Sequence, residues 1–155
     1  VYHLAQEGGP VDILINNAGV LHDKFLKEQT LKEIEEQINT NLTSQIKLTK
    51  LLLPDLQKKD EALIINIASL AGKKGHDGFT SYSASKFGMR GFTQALAQEL
   101  PDNVRIYCVN PCFNSTPMTR FRGYPAEKVA KTILETAKET LNKKSGDDVD
   151  LEEFH

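Results

Sequence analysis

Three short apolar runs, spaced by longer amphipathic stretches, constrain this chain more than any other feature. Residues 11–15 (Val-Asp-Ile-Leu-Ile), 62–68 and 104–109 are strand-length and apolar at nearly every position. Half-exposed hairpin strands would alternate; a continuous run marks a strand buried on both faces. Turn formers close the runs: Asn16-Asn17-Ala18-Gly19 after the first, Ser69 and a Gly/Lys-rich loop to Gly78 after the second, Asn110-Pro111 after the third. Strands that alternate with helices imply right-handed βαβ units, and these build a parallel sheet covered on both faces. The predicted class is therefore α/β, doubly wound.

The helices can be placed from their end signals. Thr30 with Glu33 three residues later is a capping-box pattern, and the helix it opens is expected to run to about residue 53. Asn39, Thr40, Asn41 and Thr43 are poor helix formers in its middle, and Pro54-Asp55 is expected to close or bend it. A second helix is predicted over residues 80–100, stopped by Pro101-Asp102-Asn103. Pro125-Ala126-Glu127 opens a third, expected to reach residue 143 or 144. Residues 149–154 alternate loosely and read as a final edge strand. Residues 1–7 read as the last turns of a helix closed by Gly8-Gly9-Pro10, which suggests a fragment whose targeting signals, if any, lie upstream.

Composition excludes several function classes. The 155 residues carry a net charge of -2, which gives no basic footprint for nucleic acid. No apolar run approaches the roughly 18 residues of a membrane span. Cys108 and Cys112 are four positions apart with no histidine nearby, so no zinc site is expected. Two reduced thiols in a cytoplasmic, reducing compartment is the simplest reading.

In open parallel sheets, ligands bind outside the carboxyl ends of the strands. This rule alone singles out residues 16–19, 69–72 and 110–116. On that rim stand Ser69, Tyr82 and Lys86. Tyr82 and Lys86 are an i, i+4 pair and share one helix face. An ordinary phenol, with a pKa near 10, is a poor base at neutral pH. A nearby ammonium and the positive end of a helix are expected to stabilise the phenolate and lower that value. A serine hydroxyl can hold a substrate oxygen as charge develops on it. Together these groups form a proton shuttle between an alcohol and a carbonyl.

The surrounding motifs resemble those of the short-chain dehydrogenase/reductases of the single-domain Rossmann type. Asn16-Asn17-Ala18-Gly19, Asn41, Ser69, Tyr82-Ser83-Ala84-Ser85-Lys86 and Asn110-Pro111 followed by Thr116 occur in the family's order, with the serine thirteen positions ahead of the tyrosine. The resemblance implies that Tyr82 is the acid or base and that Ser69 orients the substrate. It implies that Lys86 holds the nicotinamide ribose and tunes Tyr82. Asn41 would break the helix ladder and hold a water leading from Lys86 to solvent. Asn16, Ala18 and Gly19 would flank the adenosine side of NAD or NADP and support the sheet, while Pro111 and Thr116 would line the nicotinamide side.

Two substitutions depart from the family pattern. Cys112 stands where glycine is usual, and Asn114 replaces an aliphatic residue at a position expected to act through its backbone. A larger departure is that nothing matches the glycine-rich turn that seats the cofactor's pyrophosphate; Gly72, Gly75 and Gly78 have the wrong spacing and place. The chain is accordingly expected to be the C-terminal two-thirds of a Rossmann-type domain, lacking about 70–80 residues.

The resemblance also implies a small-molecule alcohol or carbonyl substrate and a homodimer or homotetramer. Its helices would pair through a small-residue outer face at Ser81, Ser85 and Gly88. Arg120 and Arg122 raise the option of an anionic substrate, though solvated loop charges are the preferred explanation. The alternative function is a non-catalytic scaffold, or a truncated pseudoenzyme that has lost its cofactor. The isolated 155-residue chain is predicted not to bind a nicotinamide cofactor tightly. Tight binding by calorimetry would show that the phosphate site lies within these residues.

Overall fold

The computed structural model describes residues 10–151. The expected helix over residues 1–7 and the end of the expected strand beyond residue 151 lie outside them.

Four parallel strands form one sheet in the order β1-β2-β3-β4: β1 (Ile13–Asn16), β2 (Ala62–Ile67), β3 (Val104–Asn110) and β4 (Asp148–Asp150). The three apolar runs are the three long strands, and β4 is the short edge strand expected near the end. Ile64 pairs with Leu14 on one side and Ile106 on the other, so the carboxyl ends of β1, β2 and β3 finish level.

The helices follow from the end signals, with three differences. Thr30 caps α1 (Leu31–Ile38) with both bonds of a capping box. The run of poor formers becomes a π-helical turn, Asn39–Thr43, before α2 (Ser44–Leu56). Pro54 does not end α2, because Leu52 and Leu56 are buried against the sheet and hold the last turn in place. Helix α3 (Thr80–Ala97) stops three residues early as an α-helix, and the chain continues to Leu100 through turn bonds. Helix α4 (Ala126–Ala137) is shorter than expected, since Glu139 and Asn142 adopt positive φ and turn the chain out of the helix.

Two apolar layers cover the sheet. Leu14, Ile64 and Ile106 face α2 and α3 and meet Leu52, Leu56 and Leu96. Leu63, Ile65, Tyr107 and Val109 face the other way, against Ile133 and Ala137 of α4. The strand order runs in one direction while the covering helix changes face. The β3–α4–β4 connection therefore has the opposite hand to the two before it, and the expected right-handed rule does not hold for all three.

Burial of β1 also differs from expectation. Ile13 and Ile15 are 47% and 45% exposed, because α4 covers β2 and β3 but does not reach β1. Within the described residues β1 is thus an open edge with one bare face.

Ile106→Ala, at a position with no solvent exposure, is predicted to cost about 2–5 kcal/mol in urea unfolding. Ile15→Ala in the same chain is predicted to cost less than about 1 kcal/mol.

Candidate active site

The level strand ends create one rim, and the rim opens into a cavity of about 900 Å³. Ser69, Tyr82, Lys86, Gly19, Pro111 and Thr116 all line it. Six sequence-predicted site residues therefore meet in one place.

Ser69 stands two residues beyond β2 in an extended conformation, and its Oγ accepts a hydrogen bond from the Ala71 N–H at 3.1 Å. This bond turns the chain immediately into the short 3-10 turn Leu70–Gly72 and keeps Ser69 at the rim. Tyr82 sits in the first turn of α3, buried, with Phe79 edge-on at 5.7 Å. The Ser69 hydroxyl interacts with its phenol and acts to lower the phenol's pKa. Lys86 lies one turn further along, only 4% exposed, with Nζ 5.6 Å from the centre of the Tyr82 ring. Nζ donates to the Ile67 carbonyl at 2.9 Å.

The electrostatics depart from the expectation in one respect. Burial pushes the Tyr82 phenol above its ordinary value, and the Ser69 hydroxyl works against that rise without cancelling it. Lys86 sits over the ring rather than bonding to the phenol oxygen, so desolvation wins in the chain by itself. Burial also lowers Lys86, to about 8, so the amine is still mostly ammonium at pH 7.

Asn41 is fully buried at the centre of the π-turn. The expected interruption of the helix ladder is present. The side chain itself is committed to protein groups: Oδ1 accepts from the Val20 N–H at 2.7 Å, while Nδ2 donates to the Val20 carbonyl at 2.9 Å and to Ser85 Oγ at 3.1 Å. Asn41 thus straps the loop after β1 to α3.

Asn16 does not line the cavity. Its Nδ2 donates to Thr49 Oγ1 at 3.0 Å and to Asn66 Oδ1 at 2.8 Å, and Asn66 in turn donates to Thr93. Its place is the buried support of the sheet. Ala18 presents its carbonyl to Gln45 Nε2. The Pro111 carbonyl accepts from the Leu70 N–H at 3.0 Å, which joins the β3 loop to the Ser69 turn.

The Asn114 side chain braces the Cys112 carbonyl at 2.6 Å, and its backbone carbonyl accepts from Thr119 Oγ1. Cys108 and Cys112 are not joined in a disulfide. Among the described residues no cluster of three or more His, Cys, Asp or Glu could hold a metal ion, and no helix is long and apolar enough to cross a membrane.

One expectation is corrected. Ser81 and Ser85 are buried within the chain, bonded to Gln37 and Asn41, and a Cβ on Gly88 would come within 2.7 Å of Leu42. That small-residue face therefore packs α3 against α1 and the π-turn and is not an outer face. Arg120 and Arg122 are exposed and do not line the cavity, in keeping with solvated loop charges. Lys73, Lys74 and His76 do, and their signal was a basic pair lying between the serine and the tyrosine.

This arrangement of rim, phenol and amine coincides with a match to the short chain dehydrogenase family model over residues 1–125. The chain belongs to the short-chain dehydrogenase family. It is 39% identical over 129 residues to the acetoacetyl-CoA reductase of Cupriavidus necator, covering 82% of this chain and 52% of that protein. It is 44% identical over 124 residues to the ketoacyl reductase HetN of a Nostoc species, covering 79% and 43%. A solved short chain dehydrogenase from Escherichia coli CFT073, complexed with NADPH, superposes with a TM-score of 0.86 at 26% identity, over 96% of this chain and 68% of that one. This family member spans about half the length of the curated relatives it matches.

Ser69→Ala removes the hydroxyl that lowers the Tyr82 pKa. The Tyr82 ring signal, followed by NMR on isotope-labelled tyrosine, is predicted to titrate at higher pH in the variant than in the parent.

Proposed function

We propose that this chain carries the catalytic portion of an NAD(P)-dependent oxidoreductase that interconverts an alcohol and a carbonyl, with Tyr82 as the acid or base at the substrate oxygen. The observation that carries the reading is the meeting of Ser69, Tyr82 and Lys86 at the wall of one open cavity.

The residues present fit a nicotinamide cofactor. Lys86 has three N–H donors, and its one hydrogen bond among the described residues goes to Ile67. The remaining donors suit a ribose diol. A Cβ at Gly19 would stand 3.8 Å from Lys86 Nζ and 3.5 Å from Asn41 Oδ1, so the missing side chain leaves that corner open. Gly19 and the carbonyl-braced Ala18 would lie along the adenosine side, with Thr116 and Pro111 on the nicotinamide side. When bound, the nicotinamide supplies or accepts the hydride. NADPH is the first form to assay, because the E. coli neighbour is complexed with it.

The chain's own residues handle the proton. Ser69 holds the substrate oxygen beside the Tyr82 hydroxyl. Tyr82 donates its proton to that oxygen in reduction and withdraws it in oxidation. Lys86 favours the phenolate that reduction leaves behind. Cavity walls formed by Leu70, Phe79 and Ile133 limit water around the phenol. The names of the relatives make a ketoacyl compound such as acetoacetyl-CoA the first substrate to test. Any homo-oligomer would use helix surfaces other than the buried Ser81–Gly88 side; Leu51 on α2 and Phe87 on α3 are the exposed apolar candidates.

In the protein as encoded, Tyr82→Phe is predicted to lower kcat by about 10²–10⁴-fold while cofactor affinity stays nearly intact. Turnover retained in that variant removes Tyr82 from its role. A parent protein that binds partners but turns over no carbonyl favours the scaffold reading instead.

A further inference from the structure

Arg90 lies one helical turn beyond Lys86 and two beyond Tyr82 on α3, outside the cavity and without a part in the proton path. Its guanidinium reaches two places at once. Nε and Nη2 close a fork on the Asp148 carboxylate, at 3.1 and 2.5 Å. Nη1 donates to the Gly72 carbonyl at 2.8 Å. Gly72 ends the turn that begins at Ser69, so Arg90 holds the far end of the segment that places the serine.

Two further contacts feed the same point. Asn110 Nδ2 donates to Asp148 at 2.9 Å and to Asp150 at 2.8 Å, which brings in the end of β3 just before Pro111. Lys73, next to Gly72, pairs with Asp150. The Gly72 backbone also rests directly on α3, since a Cβ there would lie 2.8 Å from the Lys86 carbonyl carbon and oxygen. Helix, serine turn and strand end are therefore gathered on one pair of β4 carboxylates.

We propose that Arg90 is a positioning residue for Ser69, clamping the Gly72 carbonyl so that the serine hydroxyl stays on the Tyr82 phenol. The proposal rests on the reading of Tyr82 as the acid or base. Its physical basis is that Tyr82 is desolvated, and the Ser69 hydroxyl is what opposes the cost of ionising it. A small displacement of the serine therefore changes both rate and phenol acidity. Only a guanidinium can complete the clamp, because a planar fork can bind a carboxylate and still spare a donor for a carbonyl. An ammonium at this position reaches one partner or the other.

Arg90→Lys is the test, because it keeps the charge and removes the fork. The groups around Tyr82 that could shift its titration are Lys86 on the same helix, Cys108 on β3 behind Lys86, and His76 beyond Phe79. None of them changes in this variant. In the protein as encoded, Arg90→Lys is expected to lower kcat for alcohol oxidation by about tenfold and to move the rising limb of its pH profile to higher pH. Cofactor Kd is expected to stay within about twofold, since no cofactor-side group moves.

Asp148→Asn carries the same expectation and replaces Arg90→Lys if that variant does not fold. Wild-type kcat and pH profile in the folded variant, with only Tm lowered, would mean that Arg90 merely staples β4, and would overturn the proposal. Tyr82→Phe run alongside separates the two failures: turnover surviving there sinks the acid-base reading, whereas its loss together with an unaffected Arg90→Lys sinks only the clamp.

Discussion

One buried ammonium organises the site. Lys86 has been moved almost entirely out of water, and among the described residues one carbonyl at the end of β2 compensates it. Burial lowers its pKa to about 8, below the ordinary lysine value, so at neutral pH the fold holds a charge that it would be easier to bury neutral. That cost is present below about pH 8 and fades as pH rises from there toward the ordinary lysine value of 10.5. A chain under no other demand would place an apolar residue there. The surroundings are arranged to keep the amine in position: the π-turn strap at Asn41, the open corner at Gly19, and the serine turn resting on the helix backbone at Gly72.

The same helix is held by buried hydrogen bonds as well as by apolar packing. Thr49, Asn16, Asn66 and Thr93 form a buried polar line from α2 across β1 and β2 to α3. Gln37 and Ser81, then Asn41 and Ser85, repeat the device higher up. Apolar contacts tolerate sliding, whereas a buried hydrogen bond lost by a small shift leaves two desolvated groups unpaired, at about 1–3 kcal/mol each. These polar pairs therefore fix the rotation and register of α3, and with it the direction in which Tyr82 and Lys86 point.

Much of this was legible in the sequence, and the unreadable parts have physical reasons. The three long strands, the capping box and the rim could be read because apolar runs and cap residues act locally. Ser69, Tyr82 and Lys86 could be read because strand ends and i, i+4 spacing put them on one rim. The support that Asn16 gives the sheet was expected, but its partners Thr49 and Asn66 were not, since a sequence does not say on which side of a strand end a side chain finds its partners. Ser81, Ser85 and Gly88 looked like an outer face because they are small and polar, yet small residues suit close packing inside as well as outside. The end of α2 and the bare face of β1 depend on what packs against them. The Arg90 clamp joins α3, the serine turn and β4, elements far apart in sequence, and only coordinates bring them together.

The two perturbed groups bear on when the site is competent. Burial raises Tyr82 and lowers Lys86, so both favour their neutral forms. With the cavity as it stands, neutral phenol and ammonium coexist at pH 7, and the phenolate has one hydroxyl to support it. Stronger support requires Lys86 to face the phenol oxygen more closely, and among the described residues two of its donors have no partner to hold them back. A ligand that anchors the amine through a diol beside Tyr82 would fix its charge near the phenol and bring down the pKa that burial has raised. Acid-base competence is in this reading a property of the filled cavity. The fold supplies direction and dryness, and a bound diol would complete the electrostatics.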